Sequence, residues 1–444
     1  MSAPIRGRCG FFVERKRRFC KMIVGSGNLY CGEHANVENG NSRRRIQCPL
    51  DPKHTVFEER LAKHLQKCNS REKPKPVYYE QNINAGSGDE ETLEDQVALG
   101  HRSKAELDFH LEKLKEAAKA LGEKLEDSVL SHPVLSEQID NPNNGDSALK
   151  HLKQQASILG NMEEIGLLGP NICFVEFGAG KGKLSHWIHE AVKGHQDPHF
   201  LLVERSSTRF KVDGKHQQAD GTFERLQVDI QHLDLGRVPL LMKTGVPLVG
   251  VGKHLCGSAT DLALRCLFER VSSGDGPPSP PGLHPAPPSH EPAPPGLHPA
   301  PPGLHPAPPS RMDVCGVAIA LCCHHRCEWR PYVGKQFFRE NGLGASEFAA
   351  FQRMSSWATC DGCPDEQSRD LAHDGEVESA DEDILNGVLS AEERGRVGRL
   401  CKRLIDQGRV HYLQSKGFIT KLKYYTSTQI TLENVLLTAV PSQS

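Results

Sequence analysis

The stretch CPLDPKHTVFEERLAKHLQKC, residues 48 to 68, sets Cys48, His54, His64 and Cys68 in the pattern C-x5-H-x9-H-x3-C. Its apolar residues, Leu50, Val56, Phe57, Leu61 and Leu65, are too few to hold so short a segment in one conformation without a staple. EERLAKHLQKC is built of good helix formers, so a helix there puts His64 and Cys68, four residues apart, on one face. The prolines and aspartate of PLDPK favour a tight reversal that presents Cys48 and His54 to that face. Two thiolates and two imidazoles converging in this way meet the demand of tetrahedral zinc.

Just upstream, Cys9, Cys20, Cys31 and His34 stand as C-x10-C-x10-C-x2-H, with a Gly-rich turn before the terminal knuckle, and form a second candidate zinc tetrad. The basic run ERKRR lies between its ligands, and residues 1 to 75 hold 17 Lys and Arg against 7 Asp and Glu, although the whole chain carries a net charge of only -2. That asymmetry suggests that the amino-terminal part meets a polyanion.

The chain of 444 residues has room for two or three domains. It contains no apolar run of membrane-spanning length and no amino-terminal signal, which predicts a soluble intracellular protein with no membrane partner, in the nucleus, the cytoplasm or both. In a reducing compartment its 15 cysteines are better explained as metal ligands and free thiols than as a disulfide framework. The expected organisation is a CCCH module over 1–40, a CHHC finger over 45–72, a flexible linker over 76–98, an amphipathic helix over 100–135 and a large domain over 146–444. The helix is read from the apolar positions Leu107, Leu111, Leu114, Ala118, Leu121 and Leu125, as a coiled-coil seam or a helix docked on the core. Two stretches interrupt the large domain: a Pro-rich run over 273–310 that repeats GLHPAPP, expected to be disordered, and an acidic loop over 361–383. The C-x-x-C of Cys360 and Cys363 has no matching pair.

From residue 171 onward apolar runs alternate with helical ones: NICFVEFG, KLSHWIHEAV, HFLLVER, LQVDI, VPLVGVGKHL, SATDLALRCLFERV and VCGVAIALCC. This is the pattern of βα units around a parallel sheet, and GFITKLKYYTS with NVLLTAV can add an antiparallel pair at its edge. VEFGAGKGKLS carries Glu176, Gly178, Gly180 and Gly182 at a strand-to-helix turn, where closely spaced glycines let backbone approach a nucleotide-like ligand. The order E-x-G-x-G-x-G differs from the dinucleotide fingerprint and resembles the S-adenosylmethionine loop of class I methyltransferases. Glu204 and Asp229, expected at the ends of the next two strands, are placed for a ribose and an adenine.

With the two tetrads and the glycine loop, GKHLCGSATDLAL, ALCCHHRC and TLENVLL closely resemble the eukaryotic tRNA 2'-O-ribose methyltransferases of the acceptor stem. The resemblance implies an α/β Rossmann-like class I methyltransferase domain behind two small zinc modules, with two zinc ions and S-adenosylmethionine as cofactors. It also implies methyl transfer to the 2'-hydroxyl of nucleotide 4 in the tRNA acceptor stem. The Lys-Asp-Lys-Glu group frequent in other Rossmann-like ribose methyltransferases is not intact. Lys253, His254 and Glu433 are the candidate catalytic residues, with Lys153 a weaker one. Two other readings stay open: attack on a cytosine by Cys322 or Cys323, and a non-catalytic zinc-dependent RNA-binding protein. The cluster Cys322, Cys323, His324, His325 and Cys327 either shapes a strand end beside the cofactor or holds a third metal.

Overall fold

The structure is a computed structural model that describes residues 7–14, 17–25, 27–31, 34, 45–68, 70–71, 74–87, 103–122, 124–206, 222–269, 313–360 and 389–442. The Pro-rich run over 273–310, the acidic loop over 361–383 and Cys363 lie outside the described residues. The chain divides into Met1–Pro76 and Val77–Ser444.

In the first unit β1 (Phe12–Val13) pairs antiparallel with β2 (Arg18–Phe19), and the Phe12 and Phe19 rings meet edge to face at 5.2 Å. A second hairpin joins β3 (Arg45–Cys48) to β4 (Asp51–Phe57), turning sharply enough that Cys48 opposes Asp51. The reversal at PLDPK is therefore a strand turn. The helix after it, α1 (Leu61–Leu65), is shorter than the helix formers suggest. It ends at Leu65 and leaves Cys68 on the loop just beyond.

The second unit holds an eight-stranded mixed sheet. Its strands are β5 (Glu126–Asp127), β6 (Cys173–Phe177), β7 (His199–Val203), β8 (Thr222–Leu226), β9 (Leu248–Leu255), β10 (Val314–Leu321), β11 (Phe418–Tyr424) and β12 (Val435–Pro441). The spatial order is β5-β11-β12-β10-β9-β6-β7-β8. Strands β6 to β10 are mutually parallel where they pair, and β12 runs antiparallel to both β10 and β11. From β6 the chain steps outward to β7 and β8, then returns to the other side of β6 for β9. Strand order thus reverses between β6 and β9, the position at which open α/β sheets form a ligand crevice.

Alternation along the strands divides the core between the two faces. Val175, Phe177, Leu201 and Val203 pack with Ala263 and Leu264 of α7 (Ala259–Phe268), whereas Phe174, Phe200 and Leu202 pack with Ile158, Leu159 and Met162 of α4 (Asp146–Glu164) and Leu184 and Ile188 of α5 (Lys183–Ala191). Burial on both faces is why these strands read as continuous apolar runs.

Three expectations change. Of the supposed linker over 76–98, residues 77–87 are folded against the sheet domain: Asn84 is buried and donates from Nδ2 to the Ile230 and Leu233 carbonyls at 2.7 and 2.8 Å. The remainder, from 88, lies outside the described residues. The helix expected over 100–135 is α2 (Lys104–Ala117), begun by a Ser103–Glu106 capping box and followed by a 3-10 turn over Ala118–Ala120, after which β5 joins the sheet edge. Its Leu107, Leu111 and Leu114 are docked on α9 (Ala345–Met354) and α11 (Ala391–Ser415) in a third apolar cluster, so it is no coiled-coil seam. The third strand is TFERL rather than LQVDI, and Asp229 instead caps a 3-10 turn, accepting from Gln231 N–H at 3.0 Å.

Candidate active site and metal centres

All eight expected ligands of the first unit assemble into two groups of four, each with its donor atoms within 4.8 Å of one another. A tetrahedron with metal–ligand bonds of 2.0–2.3 Å has edges of about 3.3–3.8 Å. In the second group the edges Cys48 Sγ–Cys68 Sγ, His64 Nε2–Cys48 Sγ, Cys68 Sγ–His54 Nε2 and His54 Nε2–His64 Nε2 are 3.8, 3.2, 3.6 and 3.1 Å. His54 Nδ1 lies 3.4 Å from Asp51 Oδ2, an arrangement that turns Nε2 to the metal. In the first group His34 Nδ1 is 3.5 Å from Cys9 Sγ and 3.3 Å from Cys31 Sγ, and Phe11 stacks on the His34 ring at 4.0 Å. The donor sets and their spacing fit zinc.

At the reversal of strand order, Gly178, Gly180 and Gly182 all adopt positive φ. At Gly178 a Cβ would stand 2.9 Å from Leu255 Cδ2, and the φ of +60° is a backbone conformation that favours glycine. The turn borders a cavity of about 500 Å³ whose wall includes Gly178, Glu204, Asp229, His254 and Cys256. Ala85, from the segment read as linker, and Arg326 complete part of the wall.

The expected cofactor residues divide by role. Glu204 accepts from Gly180 N–H at 3.0 Å and from Ser206 N–H and Oγ–H at 2.9 Å each. Burial pushes its carboxyl up, but these hydrogen bonds and the Arg225 charge outweigh it and hold the group below its ordinary value, as an anion facing the cavity. Asp229 lies 4.0 Å from Arg205 Nη1. Glu176 is buried behind the loop, where it accepts from Ser185 N–H at 2.9 Å and from the Ser185 hydroxyl; burial raises its pKa to about 7. It braces the start of α5 and is not part of the cavity wall, and Gly182 is the N-cap of that helix.

At the carboxyl end of β9 His254 feels the charges of both Lys253 and Glu433, and of these three residues only His254 lies on the cavity wall. Lys253 is buried with Nζ 3.2 Å from His151 Nδ1, and burial together with the Lys183 charge lowers its pKa to about 8. His254 reaches solvent through the cavity although protein surrounds most of its ring, and this desolvation, with Lys253 alongside, lowers its pKa to about 4. Its φ of +67° is unusual for a non-glycine residue. Glu433 accepts from Cys323 N–H at 3.2 Å and from Lys402 Nζ at 2.5 Å. Lys153 is exposed, and the residue of KHLKQQ that reaches the site is His151, which sequence reasoning passed over because a single histidine on an amphipathic helix gives no signal.

The ALCCHHRC segment splits. His324 Nε2 is turned to Asp406 Oδ1 at 2.7 Å, and Cys327 Sγ lies 3.2 Å from Arg409 Nη2; these belong to a buried network in which Arg409 also pairs with Asp261 at 2.6 Å. Cys322 and Cys323 instead turn toward Cys256, with Cys322 Sγ 3.5 Å from Cys256 Sγ and 3.2 Å from Cys323 Sγ.

Two four-donor zinc clusters ahead of an α/β domain with a glycine-lined cavity where strand order reverses define a zinc-module protein carrying an enzyme-type domain. Comparison with known proteins fixes the family. Residues 153–440 match the family described as Methyltransferase TRM13, residues 7–35 the CCCH zinc finger in TRM13 protein, and residues 45–69 the U11-48K-like CHHC zinc finger. The chain is 52% identical to the tRNA:m(4)X modification enzyme TRM13 homolog of Mus musculus, over 99% of this chain and 95% of that protein. The homolog of Homo sapiens is also 52% identical, over 99% and 96%, and the tRNA:m(4)X modification enzyme TRM13 of Yarrowia lipolytica is 30% identical, over 97% and 89%. The chain belongs to the TRM13 methyltransferase family, and no solved structure matches it significantly. Among the described residues no helix is long and apolar enough to cross a membrane.

Proposed function

We propose that this protein, acting inside the cell in the nucleus, the cytoplasm or both, methylates the ribose 2'-hydroxyl of nucleotide 4 in the acceptor stem of certain tRNAs, with S-adenosylmethionine as donor. The observation that carries the reading is the cavity bordered by Gly178, Glu204 and Asp229, in a chain whose relatives are named tRNA:m(4)X modification enzymes. A run of five parallel strands, joined at β10 by the antiparallel strand β12, supports a Rossmann-like class I methyltransferase domain.

S-adenosylmethionine, when bound, supplies a methyl group on an electrophilic sulfonium. Gly178 borders the space that would hold it, the Glu204 carboxylate would accept from its ribose hydroxyls, and Asp229 stands on the same wall. The attacking ribose hydroxyl is neutral and a weak nucleophile, so the protein has to orient it and take its proton. Lys253, with its pKa near 8, carries a substantial neutral fraction near physiological pH and is the group best fitted to accept that proton. His151 holds its amine in place, and Glu433, anchored by Lys402, fixes the backbone at Cys323. A tRNA acceptor stem is an A-form helix, bound through phosphates and the 2'-hydroxyl-lined minor groove, and the basic first unit suits that role.

Nucleoside analysis of tRNA from cells lacking the protein tests the reading. The expected result is loss of a 2'-O-methylated nucleoside. Loss of 5-methylcytidine instead, or an unchanged profile, overturns it.

A further inference from the structure

Cys256, at the end of β9, and Cys322 and Cys323, at the end of β10, bring their sulfurs within 4.8 Å of one another. Cys256 Sγ is 3.5 Å from Cys322 Sγ, which is 3.2 Å from Cys323 Sγ. Other thiols of this unit, Cys173, Cys266 and Cys401, are deeply buried and belong to no such group among the described residues.

The convergence is imposed by the backbone. Cys323 sits in the left-handed region at φ +39° and ψ +55°, a conformation that costs about 1–3 kcal/mol for a non-glycine residue and persists only where the surroundings enforce it. Its N–H is held by Glu433. On the other strand, Gly257 (φ +60°) follows Cys256, and a Cβ there would stand 2.3 Å from the Arg326 carbonyl oxygen, so the two strand ends touch backbone to backbone. Of the residues that follow, His324 and Cys327 are committed to the Asp406 and Arg409 network. Cys322 is buried, whereas Cys256 is exposed and forms part of the cavity wall.

We infer that Cys256, Cys322 and Cys323 form a third metal site, a three-thiolate site for Zn²⁺ at the reaction cleft. Thiolates select soft and borderline ions, and three protein ligands with one open position is the arrangement of a reactive rather than a purely structural zinc. The fourth position falls to water or to a hydroxyl oxygen from the cleft, because the exposed side of the group is the side of Cys256. The site ties β9 to β10 where Lys253 and His254 leave the sheet. It does not depend on which nucleic acid is methylated.

The test is the zinc content of purified full-length protein kept reduced. Wild type should carry three zinc ions per chain, and Cys256→Ser and Cys323→Ser should each carry one fewer. Cys48→Ser should also lose one, from the finger, and the Cys48→Ser, Cys256→Ser double variant should lose two. Cys401→Ser, in the apolar core, should lose none. Circular dichroism and the Cys323→Ser variant guard against a loss of zinc that merely follows unfolding. Equal zinc in wild type and folded Cys256→Ser overturns the inference, as does alkylation of denatured protein showing Cys256 and Cys322 joined as a disulfide.

Discussion

In the amino-terminal unit the described buried apolar and thiol side chains are Cys9, Cys31, Cys48, Val56 and Cys68, and all but one are cysteines that belong to the tetrads. The larger unit buries Phe174, Phe177, Phe200, Phe338, Phe348 and Phe351 almost completely on the faces of a sheet and among helices. Among its described residues the first unit has almost no core apart from its ligands, so metal binding supplies its folding free energy. The second has a core that needs no ion. In zinc-finger peptides the metal contributes about 10–16 kcal/mol at neutral pH. A strong chelator should therefore abolish amide hydrogen-exchange protection over 45–68 while β6, β7 and α5 keep theirs. Protection over 45–68 that survives complete removal of zinc would break the contrast.

The larger unit has its own point of dependence, and it is polar. Arg409 is about 1% exposed and pairs with Asp261 through Nη2 at 2.6 Å and with Asp406 through Nη1 at 2.9 Å, while Asp406 also meets His324. Burial pushes the guanidinium pKa down, but the two carboxylates more than reverse it and the group stays charged. Removing one member of a buried pair strands the other, at a cost of about 3–5 kcal/mol. Arg409→Met should lower the unfolding free energy of this unit, read from urea titration, by that amount and leave the zinc content of the fingers unchanged. A loss below 1 kcal/mol would mean that water reaches Asp261.

What the sequence disclosed follows from which constraints are written in residue types. Zinc needs particular donors at workable spacings, and the β6–α5 turn needs glycine at positive φ, so both could be read from letters alone. The strands β6, β7, β9, β10, β11 and β12 were legible because burial on one or both faces leaves a run of apolar residues. By contrast α11 is hard to read: GRLCKRLIDQGRVHYL buries Lys402, Asp406 and Arg409 among Leu404, Ile405 and Leu413, so charge interrupts its apolar stripe. Cys256 in GKHLCG and the cysteines of ALCCHHRC stand 66 residues apart and meet only because β9 and β10 are neighbours. His151 reaches Lys253 from 102 residues away for the same kind of reason.

The glycine loop offers a smaller perturbation of the second unit. Gly178→Ala places a Cβ against Leu255 and forces an L side chain into φ +60°, a strain of about 1–3 kcal/mol. Affinity for S-adenosylmethionine should fall by about that much, with circular dichroism unchanged. Calorimetry giving wild-type affinity would detach the cavity from the cofactor.

A pH series is gentler still. Lys253 has a pKa lowered to about 8 in the folded protein, so its amine is charged below that value and free to take a proton above it. Single-turnover methylation should rise about tenfold per pH unit up to about 8 and then level. Lys253→Met should be slow and flat across the range. The stability linkage has the matching sign: the cost of burying the ammonium is present below about 8 and is relieved as pH rises toward the unfolded value of 10.5. Lys253→Met should therefore gain stability most at the acid end. A rate profile with the same slope in the variant would move the proton acceptor elsewhere, with His151 and Glu433 the next groups to test.

The smallest effect returns to the first unit and asks whether metal-built structure serves RNA binding. Arg17 and Arg18 are exposed on the β1–β2 hairpin, which the CCCH tetrad anchors through Cys9 and Cys20. An exposed arginine contacting a phosphate contributes mainly by releasing a counterion, so each lost contact should reduce the slope of log affinity against log salt by about 0.9. Arg17→Glu with Arg18→Glu should weaken tRNA binding at low salt and flatten that slope by up to about two, with S-adenosylmethionine affinity and zinc content as in wild type. Lys253→Met should do the reverse, keeping the slope and losing the chemistry. If the double charge reversal leaves both affinity and slope untouched, the zinc modules are structural or protein-binding elements, and the larger unit must carry the phosphate contacts itself, for which the basic residues Arg396, Arg399 and Arg403 on α11 are the next to replace.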